Sequence, residues 1–185
     1  KTKKKSLSLA APAIAVDDSV HPATFKTIAL KSIYGQAGTL TTPNARHFKT
    51  GTLSAHIGTL DPYVHFGLGA QLLDGLHVQM RQSAEISSAK DDAHRLFPGL
   101  DLKLRLAQET SHRPEISIGL SSAVGHKRMA GEYIAATKRL GNFDLTTGLG
   151  WGRFGSAAHF DNPLSILGNH FDQGRPLDSE DANSP

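Results

Sequence analysis

From Leu100 to Leu106 the chain reads Leu-Asp-Leu-Lys-Leu-Arg-Leu, alternating leucine with charge at every step. On a β-strand successive side chains point to opposite faces, so Leu100, Leu102, Leu104 and Leu106 make one apolar wall and Asp101, Lys103 and Arg105 a charged one. A helix would scatter the same charges around its circumference. The stretch therefore demands a sheet with one apolar and one charged face. Two kinds of sheet qualify: a soluble one with its leucines in a core, or a membrane one with its leucines in lipid and its charges in a lumen.

The neighbouring segments share the period. Thr52 to Leu60 sets Leu53, Ala55, Ile57 and Thr59 against Ser54, His56 and Gly58. Tyr63 to Leu72 sets Val64, Phe66, Leu68, Ala70 and Leu72 against His65, Gly67, Gly69 and Gln71. Leu76 to Arg81 opposes Leu76, Val78 and Met80 to His77, Gln79 and Arg81, and Glu115 to Ser121 opposes Ile116, Ile118 and Leu120 to Glu115, Ser117, Gly119 and Ser121. Tyr133 to Leu140 and Phe143 to Trp151 follow, the latter with Leu145, Leu149 and Trp151 on its apolar side. Period-two runs bounded by turn residues predict an all-β, antiparallel up-and-down meander of about seven or eight strands. An eighth would come from Gly35 to Leu40 or from Leu164 to Phe171.

The connections sharpen this. Asp61-Pro62, Asp74-Gly75 and Gly141-Asn142 are tight hairpin signals and Ser111 to Pro114 is a short turn, whereas Ser83 to Gly99 and Ser122 to Gly131 are longer polar links. After the first hairpin, short and long alternate, which is how outer-membrane barrels place turns at one end and loops at the other. A trial register pairs His56 with Gly67 and Ser54 with Gly69. A three-residue loop of Leu73, Asp74 and Gly75, with Gly75 left-handed in a bulge, then keeps polar faces in phase and sets Gly67 between His56 and Arg81. Lys103 meets Gly119 if Leu106 faces Ile116. Glycines facing long polar groups suit a crowded concave interior.

The ends of the chain read differently. Residues 1–15 open on lysines, continue through a short apolar stretch and reach Ala13-Ile14-Ala15 before an acidic segment, the layout of a secretory signal peptide. Residues 16–50 form an extended lead-in, 51–164 the β meander, and 165–185 a polar, flexible tail. The formal charge of +3, from 20 basic and 17 acidic residues, is too mild and dispersed for a nucleic-acid binder. With no cysteine, disulfides, thiolate metal sites and lipid attachment through a cysteine are outside this sequence's chemistry. No apolar run approaches the ~20 residues of a spanning helix, although barrel strands need only ~10, half of them apolar.

Several ordered blocks resemble one family. Gly38-Thr-Leu-Thr-Thr-Pro-Asn-Ala-Arg46, Gly51-Thr-Leu-Ser and Leu60-Asp-Pro-Tyr63 look like the start of the YjbH-like outer-membrane proteins of exopolysaccharide production. Gly99 to Leu106, Glu132 to Arg139, Asn142 to Gly152 and Asn162-Pro-Leu164 are similar to its following blocks, in order. The resemblance covers about Gly35 to Leu164. It implies a β-barrel acting in polysaccharide export or assembly, without catalytic residues. Family members are much longer, so this chain corresponds to their N-terminal part, as a piece of a larger barrel or a reduced member.

Candidate chemistry is sparse. Of the ten histidines, His56, His65 and His77 share the polar face of neighbouring strands, yet no third ligand of matched spacing completes a metal site, and lining a wet lumen is the simpler role. Asp101 and Glu115 form a carboxylate pair on adjacent strands but nearly a strand length apart, too far for glycoside hydrolysis, and neutralising Lys103 and Arg105 is the simpler role. The sequence therefore predicts an outer-membrane barrel or partial barrel, non-enzymatic and without cofactor or metal. Its lumen wall would carry His56, His65, His77, Arg81, Asp101, Lys103, Arg105, Glu115 and Arg139. Its lipid wall would carry Leu100, Leu102, Leu104, Leu106, Ile116, Ile118, Leu120, Leu149 and Trp151. Expected partners are outer-membrane lipid, exopolysaccharide and other export proteins, with no nucleic acid. The alternatives are a soluble periplasmic β-barrel or sandwich that binds a ligand and, more remotely, a glycan-modifying enzyme.

Overall fold

The computed structural model describes residues 29–86, 96–155 and 162–167; the signal-like segment and the tail beyond residue 167 lie outside the described residues. Seven strands follow one another: β1 (Leu53–Leu60), β2 (Tyr63–Leu73), β3 (Leu76–Glu85), β4 (Leu96–Ala107), β5 (Glu115–Gly125), β6 (Gly131–Leu140) and β7 (Phe143–Gly152). Each pairs antiparallel with the next in one sheet ordered β1 to β7, which curls into a half-barrel. Short 3-10 turns lie at Lys127–Met129 and Pro163–Leu167. The stretch at Gly35 to Leu40 contributes only isolated bridges, Lys31 with Ala37 and Gly38 with Pro43, so neither it nor Leu164 supplies an eighth strand among the described residues. Among the described residues no helix is long and apolar enough to cross a membrane, which says nothing of strands.

The polar faces meet as their period requires. His56 pairs with Gly67, Ser54 with Gly69, Gly67 with Arg81, and Lys103 with Gly119. Three local expectations are corrected. The phase between β2 and β3 is kept by an irregularity between Gln71 and Leu73, while the left-handed glycines are Gly35, Gly51, Gly125, Gly141 and Gly152 and do not include Gly75. Ile116 faces Ala107, because a bulge at Leu106 shifts the β4–β5 ladder by one residue. A second irregularity sits at Asp101, where the opposing Ser122 adopts φ 47° and its N–H donates to Asp101 Oδ1 at 2.7 Å. The expected long links are also shorter than their composition suggests, since β3 runs on to Glu85, β4 starts at Leu96 and β5 runs on to Gly125.

What the period could not show is where the lead-in goes. Residues 31–48 fold back across the concave side of the sheet and fill it. Lys31 reaches the Ala55 carbonyl of β1, Tyr34 packs edge-on to His65 of β2 at 4.9 Å, and Phe48 packs on His77 of β3 at 5.5 Å. Gly35 has a left-handed φ of 88°, and a Cβ there would stand 2.1 Å from the His56 ring, so only glycine lets the segment descend so far. The small apolar core sits where this plug meets the far strands, at Ala45, Tyr133 and Ala135 with Phe154 against them.

Candidate functional site

The plug is irregular backbone, and buried peptide groups without ladder partners need other partners. The polar wall of the sheet provides them. Lys103, 1% exposed, donates from Nζ to the Ala37 carbonyl at 3.0 Å and the Arg46 carbonyl at 2.6 Å. Ser117 donates to the Ala45 carbonyl at 2.8 Å, and the Ala45 N–H donates to Thr137 Oγ1 at 2.9 Å. Gln79 donates to the Tyr34 carbonyl, and the Tyr133 hydroxyl donates to Gln36 at 3.0 Å. Side chains that look like a hydrated lumen wall in the sequence are thus spent on holding the plug. At Gly119 a Cβ would lie 2.2 Å from Tyr133 Cζ, so the tyrosine lies over bare backbone. Gly119→Ala is expected to cost about 1–3 kcal/mol by overpacking, read from denaturant midpoints, and its cost should be much smaller in a Tyr133→Ala background.

Two charge networks stabilise the arrangement. In the first, Arg81 grips Asp101 in bidentate fashion, Nε to Oδ2 at 2.9 Å and Nη2 to Oδ1 at 3.1 Å, and also donates to Ser83 and Ser122. Asp101 therefore compensates Arg81, not Lys103 or Arg105: Arg81 faces the side-chain-free Gly99, so its guanidinium can lean diagonally onto Asp101, while the Lys103 ammonium is spent on the plug's carbonyls and Arg105 on Glu115. In the second, the plug's Arg46 meets Glu109 of the β4–β5 connection, Glu115 of β5 at 3.0 Å and Asp144 of β7 at 2.8 Å. Burial alone would lower the Arg46 pKa, but these carboxylates outweigh it and raise it, so the guanidinium stays charged. Glu115 also binds Arg105 at 2.7 Å, Arg105 reaches Asp74 at 2.7 Å, and Arg139 stands 3.4 Å from Asp144.

Acid should loosen this plug. His47, with Nδ1 3.0 Å from the Ala45 carbonyl and 3.4 Å from Glu115, is held below the ordinary histidine value of 6.5, first by burial. Burial pushes Glu109 up, but bonds from the Arg139 N–H, Arg46 and Lys138 hold it below its ordinary 4.5. In both cases the unfolded chain binds more protons, so stability is full above the ordinary value and declines as pH falls. Protection factors of residues 29–50, taken against the intrinsic exchange rate at each pH, are expected to fall as pH drops below about 6.5, and to fall again below about 4.5.

The histidines sit on the inner wall, with His65 and His77 each 2% exposed and His65 Nδ1 2.8 Å from Ser83 Oγ. Among the described residues no group of three histidines, aspartates or glutamates is placed to hold a metal ion. Leu100, Leu102, Ile116, Ile118, Leu120 and Trp151 lie half-buried among their neighbours on the outer wall, and Leu104, Leu106 and Leu149 are exposed there. The outer wall also exposes Leu53, Leu68 and Phe143, so the molecule buries its polar side and shows its apolar side. Beside the plug, a cleft of about 400 Å³ opens between residues 39–44 and strands β6 and β7.

Residues 31–183 match the family described as exopolysaccharide biosynthesis protein YbjH. The chain belongs to the YjbH family. Its match to the "Uncharacterized lipoprotein YjbH" of Escherichia coli (strain K12) is 33% identical over 141 residues, covering 72% of this chain and 20% of that relative. This chain thus spans about a fifth of the relative's length. No solved structure matches it. Within this YjbH-family chain, the residue that sequence reasoning passed over is Arg46. It ends the first family-like block, and the strand pairing gives no advance signal of it: Asp144 already faces Arg139 across β6 and β7, and Glu109 lies in the connection between β4 and β5.

Proposed function

We propose that this chain is a non-enzymatic outer-membrane β-barrel element of exopolysaccharide export or assembly, with its outer wall in lipid and its plugged polar wall facing inward. The observation that carries the membrane half of this reading is the inversion of burial. Arg81, Asp101, Lys103, Glu115 and Thr137 are each at most 5% exposed, whereas Leu68 is 66% and Leu53 81% exposed. In water, a wall of exposed leucine is unfavourable by roughly 25 cal/mol per Å² of apolar surface, and lipid removes that cost. Two features support a non-enzymatic role: Asp101 is tied to Arg81, and Glu115 to Arg46 and Arg105, so neither carboxylate is free to act as an acid or nucleophile. The exopolysaccharide half rests on the family.

Alkaline carbonate washing of membranes from cells making the chain is the test. Retention in the pellet until detergent is added is the expected result. Release into the carbonate supernatant would overturn the membrane reading in favour of a soluble periplasmic module.

A further inference from the structure

The plug's carbonyls take up polar groups of the sheet's concave wall at Gln79, Lys103 and Ser117, so a polymer would meet open polar groups beside the plug. We propose that the cleft between the plug and strands β6 and β7 binds a short, uncharged stretch of polysaccharide. The ligand class rests on the exopolysaccharide reading above, while the site rests on the cleft's own chemistry. Its volume of about 400 Å³ falls in the ~300–1,000 Å³ range of small-ligand sites. One side is made by Thr39, Thr42 and Asn44 of the plug, the other by the edge of β7, unpaired among the described residues, where Thr146 on the inner face shares its hydroxyl with Thr137 at 3.0 Å and Thr147 and Leu149 turn toward the outer face.

These groups match sugar hydroxyls, which both donate and accept. Asn44 Oδ1 accepts from the Arg46 N–H at 3.0 Å, which fixes the amide and leaves its two N–H donors for a ligand. The Thr42 hydroxyl has no bonding partner among the described residues, although its carbonyl accepts from Thr39. Gly148 and Gly150 let the wall close up: a Cβ at Gly148 would stand 2.6 Å from the Ile134 carbonyl oxygen and one at Gly150 2.6 Å from Phe154 Cβ, so Phe154 lies directly over the β7 backbone at the cleft's edge. The charge balance selects against anions. The ionised group on the wall is Asp144, already held by Arg46 at 2.8 Å and Arg139 at 3.4 Å, and no cationic side chain lines the cleft. An acidic sugar would meet a carboxylate with no counter-charge to spare. A neutral one meets hydroxyls, an amide and the apolar flank of Phe154.

The test uses the full chain in lipid nanodiscs, titrated with maltohexaose, cellohexaose and laminarihexaose as neutral probes and hexagalacturonate as the anionic one. Calorimetry and the emission of Trp151, the single tryptophan and the neighbour of Gly150, report binding. Saturable binding of at least one neutral hexaose is expected, with no binding of hexagalacturonate. Asn44→Asp keeps the acceptor for Arg46 but loses the donors, and Thr42→Val loses an exposed hydroxyl. Each should weaken binding about 2- to 10-fold, the worth of one neutral hydrogen bond. Circular dichroism monitors folding, and Thr42→Val carries the test alone if Asn44→Asp misfolds. Absence of neutral binding, preference for the acidic probe, or binding indifferent to both substitutions would overturn the proposal. Carbonate washing keeps the two claims apart: a chain retained in membranes that binds no hexaose loses only the cleft, and a chain released by carbonate that binds through Thr42 loses only the membrane reading.

Discussion

Replacing Arg46 with methionine should destabilise the plugged half-barrel by about 3–5 kcal/mol, the usual cost of removing one partner from a buried charge cluster. The reason is that Arg46 serves three carboxylates on three separate elements, Glu109, Glu115 and Asp144. Methionine fills similar space but leaves those oxygens with the rim cations Lys138, Arg105 and Arg139, the Arg139 N–H and the His47 ring, none of which bridges all three carboxylates. Because the next residue back, Ala45, bonds to both Ser117 and Thr137, losing the arginine should release that stretch as well. The effect should appear as a lower unfolding midpoint and as new protease cleavage within residues 29–50. Arg46→Lys should fall between, since an ammonium cannot fork to several carboxylates at once. A methionine variant as stable and as protected as the parent would show that the plug is held by its other contacts.

The second large effect concerns the opposite wall. Leu68 lies near the middle of β2 on the outer face and is 66% exposed to whatever surrounds the sheet. If that surrounding is hydrocarbon, Leu68→Arg should cost about 2–4 kcal/mol near the bilayer midplane, lowering both vesicle stability and the membrane-inserted fraction. If it is water, the same substitution falls within about 0.5 kcal/mol of neutral. Unfolding titrations in phospholipid vesicles separate these outcomes, and the size of the difference makes the substitution informative even with wide error.

The strands and much of their pairing were legible because a strand's period is two, and one polar face can meet another in few ways. Leu100 to Leu106 carries that signal without a break, and the His56–Gly67–Arg81 row follows from it. The irregularities at Asp101 and Leu106 were not legible, since a bulge answers to its partner strand: Ser122 folds its N–H onto Asp101, a choice no local pattern records. The plug was the largest gap. Its contacts are mostly backbone carbonyls, at Tyr34, Ala37 and Ala45, which any residue type could offer, so residues 31–48 show no period and no composition that betrays their place. The polar wall looked like a lumen because the side chains that would face water are the same ones that satisfy a buried, irregular backbone.

On the proposed function the two walls of one sheet face different solvents, and the absence of native cysteine allows this to be measured position by position. Single cysteines at outer Leu68 and Leu104 and at inner Ser117 and Thr137, each labelled with a small fluorophore before refolding into vesicles, can be exposed to lipids brominated along the acyl chain. On that proposal strong quenching is expected at Leu68 and Leu104 and little at Ser117 and Thr137. Equal quenching at all four positions, or none at Leu68 and Leu104 in chain that has bound the vesicles, would contradict it.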